Sequence, residues 1–245
     1  MRIAPPYREL ARSYNAALGL PHLREICRAF ERLTRRHAIG FASAVDLGCG
    51  TGLFACYLSA RFRIPVFGVD RSSAMLDVAR RGCRLPAVRF LQQDVRCLRL
   101  PMTVDLATAN FDTINHLTDG RDLGRTFERI RANLRAGGHF LFDLLTPWQP
   151  LAPGHTVGRR LPACDGFLDQ LIRWHPRERR IDVTVVHRGP RGVTVERHHE
   201  RAYSPVPVCR QLAAAGFCIR EVCDARTLLA TRPTSSRVIV VARRR

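Results

Sequence analysis

The stretch SAVDLGCGTGLFACYLSA, residues 43–60, decides the fold. A short apolar run, Ala44 to Leu47, carries a single acid, Asp46, and three glycines follow at alternate positions: Gly48, Gly50 and Gly52. Beyond Gly52 the pattern becomes helical. The stretch therefore reads as strand, glycine turn, helix. Glycines at such a turn permit a tight reversal and let a ligand approach the main chain. The register is GxGxG, and position 53 is Leu, so the GxGxxG of a dinucleotide-binding turn is not met. Asp46 would repel a pyrophosphate. It suits a ligand that carries positive charge.

The flanking segments extend the same alternation. Residues 64–70 (IPVFGVD), 87–94 (AVRFLQQD), 103–111 (TVDLATANF) and 139–145 (HFLFDLL) read as strands. Between them, residues 73–82 form a helix that Ser72 or Ser73 caps, and residues 122–138 form an amphipathic helix stopped by Gly137 and Gly138. Strands alternating with helices give an α/β, Rossmann-like doubly wound sheet. Residues 1–39 read as helical, a cap on that sheet. After Pro147 the period changes. Residues 147–162 read as a loop, and 167–176, 179–189 and 192–203 as antiparallel strands. A helix over 205–217 and two strands, 218–225 and 235–245, close the chain. The organisation is one domain over 1–245, with an antiparallel β insertion at 148–202 laid over the sheet as a substrate lid.

Composition excludes several classes. Hydrophobic residues at 46% are enough to bury a core, and no run reaches the length of a membrane span or signal peptide. The nine cysteines are scattered without a CxxC, which argues against a disulfide scaffold or zinc ribbon and for reduced thiols in the cytoplasm. The net charge is +19, yet all 40 basic residues are arginine. A total lack of lysine spread along the chain reads as compositional bias more than as a nucleic-acid groove. It also excludes a GxxxxGK phosphate loop and any Schiff-base lysine. GxSxG and HExxH are absent, and no metal site is expected.

The residues now carry a resemblance. VDLGCGTG (45–52) resembles motif I of the class I S-adenosylmethionine (SAM)-dependent methyltransferases, and the other family motifs follow in order along nearly the whole chain. The branch it resembles acts on small molecules and has a seven-stranded, mostly parallel sheet with an antiparallel last strand. The resemblance implies SAM as cofactor and a set of contacts for it. Asp46, Gly48, Cys49, Gly50 and Gly52 form the first turn. Asp70 would bind the ribose hydroxyls, with Arg71 beside it. Met75 would lie on the adenine face, and Asp94 and Val95 would meet the adenine amine and ring. Asn110 follows the fourth strand, and Tyr14 would close over the cofactor from the cap.

On the acceptor side, Phe111, Asn115 and Tyr203 are the substrate candidates. His116, next to Asn115, reads equally as a residue that packs the next helix. Asp112 would hold an acceptor amine or orient the cofactor lid. His198 and His199 are neighbours in a strand and so face opposite sides; one is expected to face the acceptor, and His199 is the candidate base. Transfer to N or O of a small molecule is the leading expectation, by in-line displacement in a monomer or homodimer. An RNA or protein methyltransferase exploiting the basic charge, or a non-catalytic SAM-binding subunit, are the alternatives. The acceptor's identity is not written in these motifs.

Overall fold

A computed structural model describes residues 1–149, 156–190 and 192–245. Two sheets make up the molecule. The larger has seven strands in the order β11-β12-β6-β5-β2-β3-β4. Its strands are β2 (Ala44–Leu47), β3 (Val66–Asp70), β4 (Val88–Gln92), β5 (Val104–Ala109), β6 (Leu134–Leu145), β11 (Phe217–Asp224) and β12 (Arg237–Arg244). Strands β2 to β6 pair in parallel, and β12, last in the chain, runs antiparallel to both neighbours, β6 and β11.

Helices cover both faces, which explains why the central strands are apolar without alternation. All four residues of β2 are buried. Helix α5 (Gly120–Asn133) turns Leu123, Thr126, Phe127 and Ile130 inward, a spacing of three and four. They meet Phe140 and Phe142 of β6 and Phe217 of β11 on one face. On the other face, α2 (Leu20–Arg36) and α3 (Leu53–Phe62) bring Phe30, Leu33, Phe54 and Leu58 against Leu141 and Val241. Helix α4 (Ser73–Gly82) is capped by Ser72, which accepts from the Met75 amide at 3.4 Å. Helix α6 (Pro205–Ala214) completes the layer. No helix among the described residues is long and apolar enough to cross a membrane.

The second sheet has the order β1-β10-β9-β8-β7. Strands β8 (Gly166–His175), β9 (Arg180–Gly189) and β10 (Gly192–Arg201) are the three antiparallel strands read from the sequence. Two further members correct that reading. Residues 156–162 of the expected loop, with Ala163 after it, form β7 (Thr156–Ala163), paired antiparallel to β8, while 150–155 of the same stretch lie outside the described residues. Residues Arg2–Ala4, expected as helix, form β1 and pair in parallel with β10. The helical cap proper is α1 (Leu10–Tyr14), a π-helical turn (Asn15–Gly19) and α2. It packs Leu10 and Ala17 against Leu168, Trp174, Ile181 and Val183 of the second sheet.

Two smaller corrections concern α5 and the cysteines. The helix stops at Asn133, four residues before the glycines expected to end it, because Leu134 already pairs with Val104 in the sheet. Cys56 and Cys83, expected as free thiols, are joined as a disulfide, their Cα atoms 6.3 Å apart.

Candidate active site

A cavity opens at the carboxyl ends of β2, β3 and β5, where a doubly wound sheet places its ligands. The glycine turn forms its floor. Asp46 is buried and accepts from Thr108 Oγ1 at 2.9 Å. Gly48 has φ +62, and a Cβ there would stand 2.2 Å from Thr113 Oγ1. Thr113 in turn donates to Asn110 O at 2.8 Å, so the bare glycine lets the loop after β5 close onto the turn. Asp70, at the end of β3, accepts from the Gly50 amide at 2.9 Å and the Ser72 amide at 2.8 Å. Its carboxylate is thereby fixed at the mouth of the turn. Met75 is buried with its Cε beside Gly50. Asp94 caps the turn Val95–Cys97 and pairs with Arg96 at 2.7 Å, and Arg96 continues to Asp122 at 3.1 Å.

The cap forms the roof. Tyr7, Tyr14 and Gly19 line the cavity, and Thr51 of the glycine turn donates to Asn15 of the π-helical turn. The N-terminus of this segment is fixed from the other side. Glu196 of β10, 2% exposed, accepts from the amides of Tyr7 (3.1 Å), Glu9 (2.5 Å) and Leu10 (3.3 Å).

Of the residues read from the sequence, Asp46, Gly48, Cys49, Gly50, Asp70, Arg71, Met75, Asp94, Val95, Asn110, Phe111 and Tyr14 are brought together around this one cavity. Five are placed elsewhere. Gly52 lies behind the floor, where a Cβ would meet the Phe90 ring at 2.6 Å; it lets α3 pack on the sheet. Asn115 is fully buried. Its amide donates to Leu145 O and Arg201 O and accepts from the Leu145 amide, which ties the loop to β6 and β10. Tyr203 is buried too, and its hydroxyl donates to Leu117 O. Asp112 points away from the cavity wall into an ion cluster. Arg237 of β12 donates to it from Nη2 at 3.1 Å and also reaches Asp143 of β6. His199 faces outward on β10, its Nδ1 2.7 Å from Asp182. The face of β10 turned inward carries Glu196, His198 and Glu200 instead.

His116, read from the sequence equally as a packing residue, belongs to the cavity. It lines the cavity, with Nε2 2.8 Å from the Tyr7 hydroxyl and 3.9 Å from Glu200 Oε1. Its position on the loop that leaves β5 was the available signal. Arg96, Thr113 and Asp122 also reach the wall.

The electrostatics are lopsided. Burial pushes the Asp46 carboxyl up to about 7 and raises that of Asp70. Burial likewise lifts Asp143 to about 6, against the pull of Arg237, and Glu200 to about 8. His116 is driven down to about 4 by the same cause, so its ring is neutral. The pocket thus holds more carboxyl groups than cations, with a neutral imidazole among them.

Residues 44–138 match the family described as a methyltransferase domain. The chain is 31% identical over 178 residues, 70% of its length, to dTDP-3-amino-3,6-dideoxy-alpha-D-glucopyranose N,N-dimethyltransferase of Streptomyces fradiae, and the match spans 66% of that protein. It is 39% identical over 100 residues to trans-aconitate 2-methyltransferase of Deinococcus radiodurans, covering 40% of this chain and 36% of the other. A SAM-dependent methyltransferase structure from Clostridium acetobutylicum superimposes with a TM-score of 0.77 at 20% identity, covering 94% of this chain and 96% of that one, and shows the fold. The chain belongs to the class I SAM-dependent methyltransferases, and SAM is the cofactor of that family. The cavity fits it. Among the described residues Asn110 Nδ2 is buried without a partner and neither Asp46 nor Asp70 makes an ion pair, and the floor at Gly50 is open enough for a ligand against the backbone.

Proposed function

We propose that this protein transfers a methyl group from SAM to the nitrogen of a small amine. The observation that carries the reading is the surplus of buried acid around the acceptor end. Asp112, Asp143 and Glu200 gather behind Phe111, Tyr7 and His116 with one guanidinium, Arg237, among them. Such a pocket favours a cation and disfavours an anionic acceptor. The name of the Streptomyces fradiae relative, an N,N-dimethyltransferase of an amino sugar, agrees with this direction.

Bound SAM supplies a methyl group already activated on a sulfonium. Asp70 would hold the ribose, Asp46 and Asn110 the amino-acid end, and Met75, Asp94 and Val95 the adenine. The chain's own contribution is position and dryness. Phe111 and the Tyr7 and Tyr14 rings wall the reacting end. Orientation of this kind is worth roughly 7–11 kcal/mol of barrier. Tyr7 and the neutral His116 form a hydroxyl–imidazole pair able to take a proton from the acceptor.

The test is incubation of the protein with SAM and, separately, an amino-deoxysugar nucleotide, simple primary amines and trans-aconitate, with products read by mass spectrometry. Methylated amine with unchanged trans-aconitate is the expected result. Methylation of the tricarboxylate alone would overturn the assignment to nitrogen.

A further inference from the structure

Glu200 stands out among the buried groups that the reading above leaves unused. Its side chain is 12% exposed, and its carboxyl has no hydrogen-bond partner among the described residues. Buried carboxyls are ordinarily paired or bonded. Its strand offers nothing: Glu196 is taken up by the cap amides, and both ring nitrogens of His198 lack hydrogen bonds. The nearby cation, Arg237, is held by Asp112 and Asp143. Its Oε1 lies 3.9 Å from Nε2 of His116, the atom that meets the Tyr7 hydroxyl at the cavity wall.

We infer that Glu200 is a positioning residue that serves, through His116 and Tyr7, as counter-ion and proton acceptor for the amine. This role rests on the amine reading of the site. The proton balance is simple. An acceptor N–H bond breaks, and its proton bonds to Tyr7 Oη as the Tyr7 hydroxyl proton moves to His116 Nε2. The nitrogen keeps the electron pair that forms the new bond to carbon. The imidazolium so formed faces the Glu200 carboxylate, which takes up the Nε2 proton. The groups that face Glu200 are Tyr7 and Tyr14 from the cap, Asp112 and His116 from the loop after β5, Asp143 from β6, Arg237 from β12 and His198 on its own strand. Burial holds Glu200 at about 8, close to the range in which amines themselves titrate, so the proton passes between groups of similar affinity.

The experiment compares wild type, Glu200→Gln and Glu200→Asp on an amino-deoxysugar nucleotide across pH 6 to 9.5. Carboxyl 13C titration of glutamate-labelled protein is the readout independent of turnover. The expected result is a carboxyl that titrates near 8 and is missing from E200Q. E200Q should lose about 10²-fold in kcat above pH 8, where the wild-type carboxyl is ionised, the low end for a lost proton acceptor, with its acid limb gone, S-adenosylhomocysteine affinity retained and partial rescue in E200D. Amines methylated with identical pH profiles in wild type and E200Q would overturn this role alone, as would the lack of a high-titrating carboxyl. Methylation of trans-aconitate and of no amine would overturn the amine reading, and this role with it.

Discussion

Arg237 on the last strand holds Asp112 on the loop after β5, Nη2 to Oδ2 at 3.1 Å, and the same guanidinium reaches Asp143. That loop is bent. Phe111 and Asp112 have φ of +53 and +61, a conformation non-glycine residues adopt at a cost of about 1–3 kcal/mol each. The Asp112 amide also donates to Asp143 at 3.1 Å. Arg237→Gln should therefore release Phe111 from the cavity wall. Removing one partner from a fully buried pair costs about 3–5 kcal/mol. With the Arg237 side chain 34% exposed, about 2–3 kcal/mol is expected from urea unfolding. A variant as stable as wild type would show that the cluster does not hold the loop.

Asp70 joins two backbone amides to the cofactor end of the cavity. Asp70→Ala should weaken S-adenosylhomocysteine binding at least 100-fold, about 2.7 kcal/mol. Calorimetric titration measures this directly, with NADH as the control. Unchanged affinity in the variant would refute the placement of the ribose.

Asp46 predicts a pH dependence. Its carboxyl titrates at about 7 in the folded protein, above the ordinary 3.8. Between those values the folded chain holds a proton that the unfolded chain has lost. This group's contribution to stability therefore falls as pH rises from about 4 through about 7. Melting temperatures across that range should decline less steeply in Asp46→Asn than in wild type. Identical slopes would contradict the raised titration of this buried acid.

Gly48→Ala tests the turn itself. The added methyl meets Thr113 and must sit at positive φ. Strain of roughly 1–3 kcal/mol there corresponds to about 5- to 150-fold weaker cofactor binding if it falls on the bound geometry. A variant that binds with wild-type affinity would mean that the loop after β5 is free to shift.

Glu196→Ala removes the acceptor of three cap amides. Loss of a comparable helix cap costs about 0.5–2 kcal/mol. Amide exchange over residues 7–19 should quicken while α5 stays protected. Uniform protection in the variant would show that the apolar contacts of Leu10 and Ala17 suffice.

What was readable in the sequence follows the physics of each segment. The residues proposed for the cofactor were legible as a group around one cavity because their signals are local: glycines, Asp46, Asp70 and Asp94 each sit at or near the end of a strand whose apolar run announces it. The proposed acceptor end is assembled from distant segments. Asp112, Asp143, Glu200 and Arg237 come from four separate elements, and no spacing in the chain relates them. His198 and His199 show the limit of periodicity, which says that the two face apart but not which one faces in. Strand β7 was missed because Thr156 to Arg160 are exposed on both faces and carry no alternation. Strand β1 was missed because three residues hold no pattern at all. The pairing of Cys56 with Cys83 depends on how α3 and α4 lie together, which sequence separation does not disclose.

The roof over the cavity is one continuous segment, tied to the glycine turn by Asn15 and to the second sheet by Glu196. Any lifting of that segment to exchange spent cofactor for fresh therefore loosens Tyr7, and with it the wall against the acceptor. Each exchange of cofactor would then open the acceptor chamber as well, so cofactor turnover and product release would share one motion.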